Sequence, residues 1–379
     1  MGPERLSFYW SNPSRGLHVA ALGQQADGDV EWIGGTPSSL RAGPRFGGWA
    51  FDSERAWSGF PSEQWFVPEV IAWWDGARTW LAAIAPTEEA ARLRLERVRE
   101  VEPPNHERGV ACSRVGGITR DRWNTLITSA LTQIDHAAFS KVVCARTIEL
   151  RSEAAIDERA VLKSLEARHP QCFTFLVRGA DGSAFVGSSP EMLCDVREGV
   201  WSVDALAGTA AAGNGAALLA DDKERREHAA VVEWISNVVD SFSIEFSAAA
   251  QPEVKRLANV DHLHTALSGR LKGDRTALEL ARALHPTPAV AGTPQRAAIE
   301  WLRANEGFAR GWYCGAVGSR GDDSLTLAVA LRSALIRDRE ATIFVGAGVV
   351  KGSTPDREWL ETERKANALL PAFGEEAQS

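Results

Sequence analysis

Two glutamate-bearing segments far apart in the chain carry the clearest chemical pattern: Lys223-Glu224-Arg225-Arg226-Glu227-His228 and Glu358-Trp359-Leu360-Glu361. Read as helix, Glu227 shares a stripe with Val231, Trp234 and Val238. Glu358, Glu361, Lys365 and Leu369 line up in the same way on the last helix. A carboxylate on an apolar stripe is costly unless something positive meets it. Several such carboxylates, with few histidines or cysteines nearby, fit a hard oxygen-liganded cation such as Mg²⁺. Structural ion pairs would satisfy the same pattern.

Other residues invite chemistry singly. Lys141 opens a strand on the face of Val143 and Ala145, so it is either a surface lysine or a partly desolvated one held neutral as a general base. Glu191 follows Gly187-Ser188-Ser189-Pro190 and precedes the apolar run Met192-Leu193-Cys194. There it is a solvated turn residue or a protonated acid. Arg332 ends the apolar run Leu325–Leu331, where a buried guanidinium wants a carboxylate and an exposed one only water. His262, in Val260-Asp261-His262-Leu263, is a core histidine or a ligand contact. Gly346-Ala347-Gly348 fails as G-x-G-x-x-G, because Lys351 stands where the third glycine belongs. It reads as a plain turn or as backbone closely approaching a ligand.

The elements that must position these groups follow from pattern and punctuation. Residues 1–85 read as strands, with turns at Gly34-Gly35-Thr36-Pro37, Gly43-Pro44 and Gly47-Gly48, and with Val67–Trp74 running into a turn at Asp75-Gly76. A helix over 87–101 ends at Pro103-Pro104-Asn105, the candidate linker between 1–105 and 106–379. Helices are expected over 121–135, 155–168, 275–284, 295–304 and 356–370, the last capped by Thr354 with Pro355 in its first turn. Strands are expected over 141–150, 172–178, 184–187, 312–319, 324–336 and 341–346. Strand runs interrupted by helices, without a regular βαβ rhythm, predict an α+β fold with large antiparallel sheets.

Composition narrows the function classes. The chain has 379 residues, 44% hydrophobic and 24% charged, as in globular proteins generally. No apolar run approaches a membrane span, and the start Met1-Gly2-Pro3-Glu4-Arg5 lacks a signal layout. A net charge of −8 argues against nucleic acid as the main partner. Five cysteines, widely spaced and without C-x-x-C, form neither a disulfide framework nor a zinc site, and Cys144 and Cys194 read as small core residues. A cytoplasmic location is expected.

Taken in order, a series of blocks resembles the chorismate-utilising enzymes, which include isochorismate, salicylate, anthranilate and aminodeoxychorismate synthases. The blocks are Lys141–Arg146, Gly187–Glu191, Leu206-Ala207-Gly208-Thr209, Lys223–His228, Val260–Leu263 and His285–Gly292. Tyr313–Gly318, Arg332, Gly346–Val350 and Glu358–Lys365 complete them, and Phe46–Asp52 looks like the family's N-terminal half. Ala210-Ala211-Ala212, where the family often has basic residues, and Ala205, where proline is common, depart from the pattern.

The resemblance implies one large domain of two facing antiparallel sheets with helices outside and the active site in a cleft. It implies Mg²⁺ held by Glu227 and Glu361, with Glu358 close by and Glu224 in support. Ala207 stands where aminodeoxychorismate synthases carry a nucleophilic lysine, and Lys141 where ammonia-using members have glutamine. Both imply water as the nucleophile and no glutaminase subunit. Lys141 would then be the base and Glu191 the acid. Arg332, Tyr313 and the Gly348 amide would hold the enolpyruvyl carboxylate of chorismate. Gly208, Thr209, His262, Ala289, Leu331 and Lys365 would complete the substrate wall. The His285–Gly292 block looks most like isochorismate synthases of menaquinone or catechol-siderophore pathways. A salicylate synthase and a non-catalytic relative are the alternatives, and a monomer is expected.

Overall fold

A computed structural model describes residues 6–24, 44–74, 77–99, 111–257 and 260–375. The expected turn at Gly34–Pro37, Gly43, Asp75-Gly76, the Pro103-Pro104-Asn105 linker and the Met1–Arg5 start lie outside them.

Every strand pairing among the described residues is antiparallel, in two sheets. The eleven-stranded sheet runs β16 (Gly292–Thr293), β8 (Lys141–Ser152), β20 (Glu340–Val350), β19 (Ser333–Arg337), β10 (Ala184–Ser189), β9 (Phe173–Arg178), β1 (Leu6–Asn12), β2 (Leu17–Leu22), β5 (Val70–Trp74), β6 (Thr79–Ala83), with β7 (Cys112–Gly117) also on β8. The nine-stranded sheet runs β13 (Ser243–Ala248), β15 (Val260–Leu271), β12 (Val200–Ala211), β11 (Met192–Arg197), β18 (Ser324–Val329), β17 (Ala316–Arg320), β3 (Arg45–Trp49), β4 (Glu63–Phe66), with β14 (Glu253–Arg256) also on β15. Strands from before residue 100 and after residue 111 share each sheet.

The period of two decides which side chains meet. Phe8 and Trp10 of β1, Phe173 and Phe175 of β9 and Phe185 of β10 point into a core shared with Phe46, Val203, Leu267 and Leu327 of the other sheet. Phe8 and Phe46 meet across the layers with ring centroids 5.0 Å apart. The intervening Tyr9, Leu176 and Val186 pack outward against helix α3 (Glu158–Arg168) and the chain's C-terminal segment. With both faces covered, β9 and β10 are buried along their whole length, which is why they lack the alternation of a half-exposed strand. Cys144 and Cys194 are core residues as expected.

The remaining helices are α1 (Glu88–Arg99), α2 (Arg120–Asp135), α4 (Gly215–Ala220), α5 (Asp222–Phe242), α6 (Ala277–Leu284), α7 (Gln295–Asn305) and α8 (Pro355–Ala366). Asp221 caps α5 by accepting from the amides of Lys223 at 2.8 Å and Glu224 at 3.1 Å. Thr354 caps α8, with Pro355 in its first turn, as the sequence predicts.

Several expectations are corrected. The strand expected over 324–336 is two strands in different sheets: β18 ends at Val329, the chain crosses over at Ala330–Arg332, and β19 begins at Ser333. An apolar run signals burial without direction, and burial continues through the crossing. Residues 312–315 form a turn ahead of β17, with Cys314 in left-handed backbone (φ 62°). The last helix stops at Ala366, so Leu369 leaves the stripe and joins the outer core instead. Helix α3 starts at Glu158, capped by Asp157. The buried stripe of α5 is His228, Val231, Ile235 and Val239, one position round from the predicted face. Gly346 and Gly348 lie inside β20, so the turn reading fails.

Candidate active site

Two crossings between the sheets build the floor of a cavity. The chain passes from β10 to β11 through Pro190-Glu191, and from β18 to β19 through Ala330-Leu331-Arg332. The crossings are laced together: the Ser188 amide donates to the Arg332 carbonyl and the Val329 amide to the Glu191 carbonyl, each at 3.0 Å. The Cys314 amide donates to the Ala330 carbonyl at 3.0 Å and draws in the Tyr313 turn. Arg332 sits at φ 47°, a conformation that a non-glycine residue adopts only where its surroundings impose it.

The cavity encloses about 830 Å³ of space, its open mouth included. Its walls contain Lys141, Glu191, Gly208, Thr209, Glu227, His262, Ala289, Tyr313, Leu331, Arg332, Gly348, Glu361 and Lys365, thirteen of the fifteen residues given a binding or catalytic role from sequence. The other two do not line it: Glu358 lies buried beside Glu361 in the same helix turn, and Glu224 accepts from the Thr209 amide at 3.1 Å. Sequence reasoning missed Val143, Leu206, Val290, Phe344 and Val345, apolar wall residues with no local signal beyond burial.

Glu191 is 4% exposed. Burial, reinforced by the Asp204 charge, pushes its carboxyl up to about 8, while Lys255, Lys141 and Lys365 pull the other way. At neutral pH it carries its proton. Lys141, also buried, places Nζ 2.5 Å from Glu227 Oε1. Burial pushes the Glu227 carboxyl up, but Lys141, Lys223 and Lys365 outweigh it and leave the group ionised. A Cβ on Gly348 would come within 3.2 Å of Lys141 Cε and 3.3 Å of Glu227 Oε1, so only glycine leaves this pair unhindered.

Backbone pairing shows why β20 presents glycines here. The amides of Val143 and Ala145 turn away from β20, to the Ala291 carbonyl at 2.9 Å and Glu306 Oε1 at 2.8 Å. Their partners Gly348 and Gly346 are therefore in non-hydrogen-bonded pairs, and their own polar groups face the opposite edge. That edge is open, because β19 begins only opposite Phe344. The Gly346 carbonyl accepts from Lys365 Nζ at 2.9 Å, and Lys365 also reaches Glu361 Oε1 at 2.8 Å. Beneath, Arg310 donates to Glu306 Oε2 and to the Val290 carbonyl at 2.8 Å each and to the Val143 carbonyl at 2.5 Å, tying β8 to the Ala289 loop. The i,i+4 spacing of Glu306 and Arg310 was a signal that the sequence offered.

Arg332 is 7% exposed, and its Nη1 has no hydrogen-bond partner. Nη2 lies 3.5 Å from His262 Nε2. Burial, with Arg332 and Lys365 nearby, pushes His262 down to about 3, so the ring is neutral. Its Nδ1 faces the Gly208 carbonyl at 3.2 Å and Thr209 Oγ1 at 3.0 Å, which assigns the proton to Nδ1 and leaves Nε2 as an acceptor for Arg332. A buried guanidinium with an unused donor fits an incoming carboxylate.

The remaining carboxylates repel one another. Burial and the Glu361 charge push Glu358 up to about 7, and burial and the Glu227 charge raise Glu224. Such crowding of hard oxygen donors is relieved by a cation. No three His, Cys, Asp or Glu among the described residues converge into a ready cage. Mg²⁺ bound through two carboxylates, with water and substrate completing its sphere, needs no such cage.

The sequence profile of the chorismate-binding enzymes matches residues 31–374. The chain belongs to that family. It is similar to the isochorismate synthase MenF of Bacillus subtilis, 29% identical over 97% of this chain and 88% of that protein. It is also similar to the salicylate biosynthesis isochorismate synthase of Pseudomonas aeruginosa, 36% identical over 77% of this chain; the match spans 62% of that relative's length. Among solved structures, MenF, the menaquinone-specific isochorismate synthase from Escherichia coli, superposes with a TM-score of 0.83 at 26% identity, covering 98% of this chain and 89% of that one. No helix among the described residues is long and apolar enough to cross a membrane.

Proposed function

We infer that the protein is an isochorismate synthase, adding water at ring carbon 2 of chorismate and expelling the hydroxyl at carbon 4. One observation carries the reading: a buried, protonated Glu191 shares a single cavity with Lys141 and with Arg332, whose Nη1 has no hydrogen-bond partner. Arg332 binds the enolpyruvyl carboxylate, with Tyr313 and the outward-facing Gly348 amide beside it. Lys141 in its neutral form takes a proton from the attacking water, and the ammonium so formed is the partner that Glu227 holds in this structure. The new carbon–oxygen bond at carbon 2 shifts the ring double bonds. The bond at carbon 4 breaks, and Glu191 protonates the departing hydroxide to water. Return of the proton from Lys141 to Glu191 by way of solvent closes the cycle.

Glu227 and Glu361 would hold Mg²⁺, with Glu358 and Glu224 behind them. Bound there, the ion would stabilise charge on the ring carboxylate. With Ala207 and Lys141 at their positions, water is the nucleophile, and the reaction calls for no glutaminase subunit. We place the enzyme in the cytoplasm, as a monomer, supplying menaquinone or catechol-siderophore synthesis.

Lys141→Ala tests the assignment of the base. It should lower turnover of chorismate by at least about a hundredfold while chorismate binding stays measurable by calorimetry. Unchanged turnover would remove Lys141 from the role.

A further inference from the structure

A second cavity, outside the catalytic one, adjoins the same turn that carries Glu191. Met192, Asp204, Lys255 and His264 help to line it, and none of the four lines the catalytic cavity. They come from three adjacent strands: Asp204 from β12, Lys255 from β14 and His264 from β15, which lies between the other two. Lys255 Nζ donates to the Pro190 carbonyl at 2.7 Å and to Asp204 Oδ2 at 3.3 Å. His264 Nε2 lies 2.9 Å from Asp204 Oδ1. The chain of contacts thus ends on the peptide that bears the acid.

A lysine alone would suffice to hold the Pro190 carbonyl. The carboxylate behind it has a second consequence, because Asp204 stands close to a group that must keep its proton. Like charge favours the neutral acid, and burial of the same group favours it further. The other charged or titratable groups facing Glu191 are Lys141 of β8, Lys365 of α8 and Cys314 of the turn before β17. Arg332, His262, Glu227 and Glu361 share its cavity. Among these, Asp204 is the carboxylate that acts most strongly on Glu191, and burial is outweighed by His264 and Lys255 in keeping Asp204 ionised.

We propose that Asp204, Lys255 and His264 are positioning residues for Glu191: Lys255 fixes the Pro190-Glu191 turn, and Asp204, oriented by His264, supplies the negative charge that retains the Glu191 proton. The proposal rests on Glu191 being the acid of the reaction above. An ordinary ion cluster welding three strands would affect stability without discriminating between the two signs of charge.

The test uses infrared difference spectra of the full-length protein, with Glu191→Gln identifying the Glu191 carboxyl band. The pH midpoint of that band is then followed in wild type, Asp204→Asn and Lys255→Met, beside kcat against pH for chorismate. Asp204→Asn should lower the midpoint by about one unit and Lys255→Met should raise it. The alkaline limb of kcat should move with each. Midpoints that stay at the wild-type value, or that move in the same direction in both variants, would overturn the proposal. If Asp204→Asn does not fold, the direction of the Lys255→Met shift decides alone. Opposed midpoint shifts in a protein that never turns over chorismate would uphold this inference and sink the isochorismate reading.

Discussion

Replacing Glu191 by glutamine should make the protein less active and more stable at once. Glutamine keeps the shape and hydrogen-bonding capacity of the protonated acid but has no proton to give. Loss of a general acid costs on the order of 10²- to 10⁴-fold in kcat. The stability effect follows from the shift of the carboxyl from 4.5 to about 8. In the unfolded chain Glu191 ionises near 4.5, whereas in the folded chain it holds its proton to about pH 8, so folding takes up a proton between those values. Stability that is fully present below pH 4.5 is therefore lost as pH rises through 8. The shift corresponds to an upper limit on the order of 5 kcal/mol, reduced to a few by relaxation around the site. Glu191→Gln escapes this penalty. Its thermal midpoint should exceed that of wild type, by an increment that grows from pH 5 to pH 9 and then levels. Differential scanning calorimetry across that range, beside a chorismate turnover assay, reads both effects. An increment independent of pH, or turnover within tenfold of wild type, would refute the buried-acid argument.

Two further substitutions probe the walls. Arg332→Gln removes the guanidinium with the unused donor and should raise KM for chorismate by about 10- to 100-fold, as expected for a charge-assisted bond. The unliganded protein should lose little stability, since a buried and incompletely paired charge goes with it. Steady-state kinetics and thermal melts check the two halves, and an unchanged KM would place the substrate carboxylate elsewhere. Gly348→Ala puts a methyl 3.2 Å from Lys141 Cε and 3.3 Å from Glu227 Oε1. It should lower kcat by about tenfold or more, the scale of small misplacements in an active site, with an unchanged circular dichroism spectrum. Full activity would show that the lysine pair tolerates displacement.

The parts of the molecule that sequence made legible are those where local pattern and tertiary role coincide. Thr354-Pro355 announces the helix that carries Glu361, because a cap is a local event. What sequence hid are changes of direction inside continuous burial. Leu325 to Ile336 is mostly apolar, with burial on both sides of Arg332-Ser333, so the polar pair reads as an interruption of one strand although the chain there leaves one sheet and joins the other. Gly346 and Gly348 could be read as a turn because glycine usually signals one; here Gly348 provides clearance for Lys141 and Gly346 for the Tyr313 hydroxyl, beside an unpaired strand edge. Asp204, Lys255 and His264 carry no local signal, and only the pairing of β12, β14 and β15 assembles them.

The central claim is tested most directly by incubating the purified protein with chorismate, with Mg²⁺ or with EDTA, and separating the products by chromatography. Isochorismate is the expected sole product, formed with Mg²⁺ and lost on chelation. Salicylate with an equal amount of pyruvate would move the protein to the eliminating branch of the family. No product under either condition would contradict the account outright.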